Sequence, residues 1–483
     1  MFNINYYLFS FVLLICSTFW PPLLSAQSTK LKVTYIPYSE ASFVLTSLHD
    51  ILPPELKAKD SSERPAFWSE WVTGRDREIR GRLIRGDEDS LINFLLFGTS
   101  YTKEPRITAR QIEQLQGQEN LSSAKTPPEK AQLKNILQSR ISDFLHSLRS
   151  PGNNERLIFA RKLIAQKGFQ PGAVAGKTKI RNYLLESLTR VLGEQVNHAR
   201  ILEVARLQGD ANNEFIERSK LYRTRGLSSD SSLSPGFAIE ESLKEIQSRG
   251  LLGKKSVRQV AIIGPGLDFT DKQEGYDFYP PQSIQPFAVI DTLLRLGLVR
   301  PGDLQVTTFD VSPRVNQHLA RTRRIGQNYT LQLPLDPQAK WKPDFVQYWE
   351  RFGDQIGNPV KPAAVPARAG ELKIRAVDVR PNITKRVTPA DVNIVLQRLD
   401  LPPAEQFDLI VATNILVYYD LFEQSLAMLN IERMLRPGGL LLSNNALLEL
   451  PFFRVRSVAY STVVYSDRAD DGDHIVWYQK TAN

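Results

Sequence analysis

The spacing of apolar residues changes near residue 237. Ahead of it, Phe67-Trp68, Trp71, Leu83-Ile84 and the run Leu91-Ile92-Asn93-Phe94-Leu95-Leu96-Phe97 recur at helical intervals, as in helices that bury one face. Asp87, Glu88 and Asp89 predict a helix start, because carboxylates suit the positive end of the helix dipole. That helix, residues 89–97, is expected to stop at Gly98. The polar residues 97–106, punctuated by Gly and Pro, read as a helix-to-helix turn or as a binding loop. Amphipathic helices continue over 108–149 and 178–222. The Ser-rich stretch 228–235 breaks the pattern and marks a domain boundary.

Beyond it, strand-length apolar runs alternate with helical ones. A helix near 239–249 leads into a strand at 257–263. A helix at 286–298, a strand at 303–309 and a helix at 315–324 follow. Residues 325–370 read as a Pro-rich insertion. A strand at 372–377, a short helix at 392–399, a strand at 407–412, a helix at 421–435 and a strand at 439–442 come next. Two β segments, 455–465 and 474–479, close the chain without a long helix between them. The alternation predicts an α/β fold with a mostly parallel, Rossmann-like sheet, and the closing pair predicts an antiparallel edge. A mainly helical domain over 30–227 would precede an α/β domain over 237–483.

Composition narrows the compartment and the chemistry. Residues 1–29 contain no Lys, Arg, Asp or Glu, and the apolar run ends at Pro21-Pro22 and Leu24-Ser25-Ala26. This reads as a signal peptide over 1–26 and an exported or periplasmic body. The competing reading is an uncleaved membrane anchor, with Lys30 and Lys32 holding the body on the cytoplasmic side. Cys16 is the only cysteine, which excludes disulfides and thiolate metal sites from the folded part. Five scattered histidines, never at H-x-x-x-H spacing, argue against zinc; no metal site is expected. The net charge of +9 is spread along the chain. That is a solvated basic surface rather than a specific nucleic-acid site.

Candidate chemistry gathers where strands end. Gly264-Pro265-Gly266 follows the first strand of the α/β half, where glycine lets backbone approach a cofactor; a plain tight turn fits as well. Asp310 closes the second strand. Its carboxylate could accept both ribose hydroxyls of a nucleoside, or cap the next helix beside Ser312 and Pro313. The aromatic loop Gly275-Tyr276-Asp277-Phe278-Tyr279 could cap a bound adenosyl group or pack onto the sheet. Asp378 and Val379 end the expected third strand, where a polar side chain could meet a base edge. Asp408 opens the fourth strand, away from the crevice, and reads as structural. Asn414 closes that strand at the crevice end. Arg436-Pro437-Gly438-Gly439 reads as a sharp turn before the fifth strand.

Together these residues resemble the class I S-adenosylmethionine-dependent methyltransferases over roughly residues 250–483. The stretch Asn414-Ile415-Leu416-Val417-Tyr418-Tyr419-Asp420 is most similar to the chemotaxis-receptor methyltransferases, which also carry a helical N-terminal domain. The resemblance implies S-adenosylmethionine as cofactor and methyl transfer to an acceptor, protein or small molecule, that the sequence does not identify. It implies Gly264, Pro265 and Gly266 at the methionine moiety, Asp310 at the ribose, Asp378 and Val379 at the adenine, and Asn414 beside the transferred methyl. Tyr276, Tyr418 and Tyr419 are candidates to orient substrate. The chain departs from the family in having no acid before the glycine turn and Asp268 where a third glycine is common. Two rivals are a non-catalytic scaffold that keeps the sheet and a dinucleotide-dependent oxidoreductase.

Overall fold

The computed structural model describes residues 32–107, 111, 128–207, 226–268, 276–324, 329–468 and 471–481. The expected signal or anchor at 1–26, Cys16 and Gly275 lie outside the described residues. Lys32–Asn483 form one compact unit. Among the described residues no helix is long and apolar enough to cross a membrane.

The short strand β1 (Val33–Tyr35) and helix α1 (Tyr38–Ser47) lead into α2 (Arg64–Phe97), a helix of 34 residues. The expected break near Asp87 is absent. Gly86 faces the backbone of Leu227 so closely that a side chain would not fit, so the glycine serves a crossing and does not end a helix. The C-terminal half of α2 packs with α3 (Pro128–Ser147), α4 (Glu155–Gln166) and α5 (Val174–Leu207) around Phe94, Phe97, Phe144 and Leu184. Its N-terminal half turns Trp68 and Trp71 toward the α/β part, where Trp71 meets Phe422 edge-on at 5.8 Å.

From α6 (Ser234–Ser248) the chain builds a seven-stranded sheet. Its strands are β2 (Gln259–Ile263), β3 (Gln305–Asp310), β7 (Val387–Asp391), β9 (Phe407–Ala412), β10 (Leu435–Ser443), β11 (Val455–Val464) and β12 (Gly472–Lys480). Their spatial order is β11-β12-β10-β9-β2-β3-β7. The five strands from β10 to β7 run parallel, and β12 lies antiparallel between β10 and β11. Strands β2 and β9 are almost wholly buried, as a sheet covered on both faces requires. Helices α7 (Gln285–Arg295), α8 (Pro313–Arg324) and α10 (Leu421–Met434) connect the strands. The mostly parallel sheet and its antiparallel pair are those the sequence predicts.

The expected insertion folds as β4 (Tyr329–Leu335), helix α9 (Pro343–Arg351) and β5 (Gly357–Val360). It also captures β6 (Lys373–Val379), expected in the main sheet: β6 pairs antiparallel with β4 on one edge and β5 on the other. Both ladder edges of β6 are therefore taken. The place beside β3 goes to β7, whose Pro389 is tolerated because the strand is an edge. Residues 392–399, expected helical, run through a turn into β8 (Gln397–Leu399), which pairs with β1.

Candidate functional site

In the main sheet the strand order reverses between β2 and β9, and open α/β sheets bind ligands at the carboxyl ends beside such a switch. A crevice lies there. Its lining includes Gly264, Gly266, Asp310, Val392, Asn414 and Tyr419, together with Leu83 of α2 and residues 227–232. The structure thus brings together Gly264, Gly266, Asp310, Asn414, Tyr418 and Tyr419.

The glycine turn leaves β2 with left-handed backbone at Gly264 (φ 66°) and Gly266 (φ 68°), with Pro265 between them. Only glycine adopts this routinely. The space where a Cβ would stand at Gly264 is taken by the Ile415 side chain, 2.0 Å away, and at Gly266 by Ser231 and the Ser229 carbonyl, 2.8 and 2.9 Å away. The glycines therefore admit the protein's own chain.

Asp310, at the end of β3, is 9% exposed. Its Oδ1 accepts the Ser312 amide at 2.7 Å, and its carbonyl accepts Asn316 Nδ2 at 2.8 Å. It is both a local turn former and a crevice wall. Burial pushes its carboxyl up to about 7, against the pull of the Ser312 and Gly266 amides and of Arg314. Asp391 stands beside it in register on β7 and adds to the rise. Arg80 of α2 bonds Asp391 at 2.6 Å.

Asn414 takes a left-handed conformation (φ 58°) that asparagine tolerates. Asn444 holds it with two hydrogen bonds, 2.8 Å to its amide and 2.6 Å to its side chain. The loop beyond is fixed from both ends. A capping box joins Asp420 and Glu423 at the start of α10, and Arg75 of α2 donates to Glu423 at 2.8 Å. Arg82 donates to the Tyr418 carbonyl at 2.8 Å and lies 5.8 Å from the Tyr419 ring. Burial pushes the Tyr419 phenol up.

Three predicted residues are elsewhere. Asp378 and Val379 sit on β6 in the three-stranded sheet, where Asp378 accepts from Thr330 at 3.1 Å and Val379 packs in the core. The strand that reaches the crevice is β7, and it ends in a second Asp-Val pair, Asp391-Val392, whose Val392 lines the wall. Tyr276 packs with Tyr279 and Ala369 in a cluster of its own, under the Arg106 guanidinium at 4.4 Å. Asp277 explains why the aromatic loop is held there. Its carboxylate accepts the amides and hydroxyls of Thr99 and Ser100. Asp408 is structural, as expected: one oxygen takes the amides of Arg258 and Gln259, and the other pairs with Arg436.

Sequence reading missed residues 227–232, which cross the crevice as a strap. Leu227 donates to Arg82 O at 3.2 Å, and Leu267 donates to Ser229 O at 2.6 Å. The only signal was the Ser-rich composition, which reads equally as a boundary. Among the described residues no group of three His, Cys, Asp or Glu could hold a metal ion.

No family model matches the chain, and no curated protein does. Among solved structures it is similar to the glycopeptide N-methyltransferase MtfA complexed with sinefungin, at 13% identity over 52% of this chain and 80% of that one, TM-score 0.21. It is also similar to magnesium protoporphyrin IX methyltransferase from Synechocystis with bound SAM, at 10% identity over 55% and 90%, TM-score 0.24. Human N-acetylserotonin methyltransferase in complex with SAM aligns at 9% identity over 88% and 99%, TM-score 0.20. At these values the likenesses decide nothing about this chain, and its sheet is read from its own strand order.

Proposed function

We propose that the chain transfers a methyl group from S-adenosylmethionine to an acceptor. The observation that carries this reading is the placement of β12, antiparallel between β10 and β11, on a sheet whose other order is 3-2-1-4-5. A dinucleotide-binding sheet ends in a sixth parallel strand instead. The lining agrees with it: among the described residues two carboxylates, Asp310 and Asp230, and no cationic side chain face the crevice, which suits a cationic sulfonium ligand.

The cofactor would supply an electrophilic methyl group. Asp310, ionised, would accept the ribose hydroxyls, and Val392 and Ile394 would offer the base an apolar wall. Asn414, Tyr418 and Tyr419 would position the acceptor, with proximity and exclusion of water supplying the rate. The likeness of residues 414–420 to the chemotaxis-receptor group makes a protein acceptor the first to test. A second reading, a non-catalytic scaffold, is favoured by one observation: the open faces of Gly264 and Gly266 are filled by Ile415 and the strap.

Calorimetric titration of the full chain with S-adenosylhomocysteine separates the two. Micromolar binding that Asp310→Ala abolishes is expected. No binding by folded wild-type protein would leave the scaffold.

A further inference from the structure

The glycine turn has no acid in front of it. Ile262 and Ile263 occupy those places and are buried. An S-adenosyl amino acid would bring an ammonium and a carboxylate to that end of the crevice, and a buried ammonium needs a counter-charge. Of the two carboxylates in the lining, Asp310 belongs to the ribose side. The other, Asp230, lies in the strap and is 9% exposed, with Oδ2 accepting from Ser90 of α2 at 2.9 Å.

The strap is seated against the glycine turn through Ser229 and Ser231. Ser229 O takes the Leu267 amide at 2.6 Å, immediately after the turn. Ser231 Cβ lies 2.8 Å from where a Gly266 Cβ would stand. Ser231 Oγ is buried and has no hydrogen-bond partner among the described residues. A hydroxyl buried at a crevice wall without a partner carries a desolvation penalty that a polar ligand would relieve.

We propose that the strap holds the amino-acid end of the cofactor, with Asp230 as counter-ion to the ammonium and Ser231 as hydroxyl donor to the carboxylate. The assignment rests on the S-adenosyl reading given above. It makes recognition of that end a property of a segment outside the sheet.

The test uses two ligands that differ only in the amino-acid end. The full chain is titrated with S-adenosylhomocysteine and with 5′-methylthioadenosine, which lacks that end. Asp230→Asn is expected to weaken S-adenosylhomocysteine by about 10- to 100-fold, the worth of a hydrogen bond to a charged group. Methylthioadenosine should stay within about twofold. Ser231→Ala, which leaves the Ser90 contact intact, should show the same selectivity with a smaller loss. Equal weakening of both ligands, or no weakening of either, in variants that melt like wild type would overturn the assignment while leaving the S-adenosyl reading in place. Wild-type protein that binds neither ligand would overturn both.

Discussion

Replacing Gly86 by alanine tests how the crevice is walled. Gly86 lies inside α2, where the strap crosses backbone against backbone. A Cβ built there would stand 1.9 Å from Leu227 O and 2.5 Å from Leu227 C. Ordinary contact begins near 3.4 Å, so the strap would retreat by about 1.5 Å. Gly226 faces Gly86 N at 2.2 Å from its own Cβ position, so the chain leading into the strap meets the helix just as closely from its own side. Gly81, one turn and a half earlier on the same helix, has nothing within 4 Å. Alanine should stabilise the helix by about 1 kcal/mol at either position through propensity alone. Gly81→Ala is therefore expected to gain roughly that. Gly86→Ala carries an added overpacking cost of about 1–3 kcal/mol, which is the difference between the two variants. Urea denaturation followed by tryptophan fluorescence reads it directly. S-adenosylhomocysteine affinity should fall in Gly86→Ala alone, because the displaced strap carries Asp230 and Ser231. Equal gains from both substitutions would refute the seating of the strap on α2.

Two further outcomes follow from buried charge. Asp310, raised to about 7, keeps a proton in the folded state that the unfolded chain releases near its ordinary carboxylate range. Stability from this group should therefore fall as pH rises from about 4 to 7 and level off above, and S-adenosylhomocysteine binding to the ionised form should weaken up to about tenfold per unit below 7. Calorimetry across pH checks both, and an Asp310→Asn variant with the same pH dependence would show that another group is responsible. Glu240 of α6, fully buried, pairs with Arg351, with Lys244 at 3.1 Å and with Arg295 at 3.7 Å. Glu240→Gln should lower unfolding stability by about 3 kcal/mol, since it removes the carboxylate that faces Arg351, while Lys244 keeps Glu241 and Arg295 keeps Asp291; a loss below about 1 kcal/mol would mean that water already solvates Arg351.

The parallel sheet was legible because β2 and β9 carry consecutive apolar residues that only a doubly covered sheet would bury. The third strand was not. Two Asp-Val pairs lie 13 residues apart, at Asp378-Val379 and Asp391-Val392. The first follows a regular β-rich run, while the second follows Val387-Thr388-Pro389, and proline argues against a strand unless the strand is an edge. Edge position depends on the whole topology, which local pattern cannot show. The helix start expected at Asp87, Glu88 and Asp89 failed for a related reason, since the helix runs on through Gly86. A glycine that ends a helix and one that lets another chain cross it look alike in sequence, and the crossing partner, Leu227, is 141 residues away.

The same distance effect changes how the helical half is understood. From sequence it reads as a separate helical domain ahead of the sheet. In the structure α2 supplies Leu83 to the crevice wall, Arg75 and Arg82 to the loop after Asn414, Arg80 to Asp391, and the Gly86 saddle on which the strap rests. Without these, the carboxyl ends of β2, β3 and β9 would face water. Asp310 would then lose the burial that lifts its carboxyl, and a contact to a ribose hydroxyl would compete with solvent at high dielectric. Electrostatic recognition gains strength as water is excluded. The sheet places Asp310, and the helical half makes its placement effective.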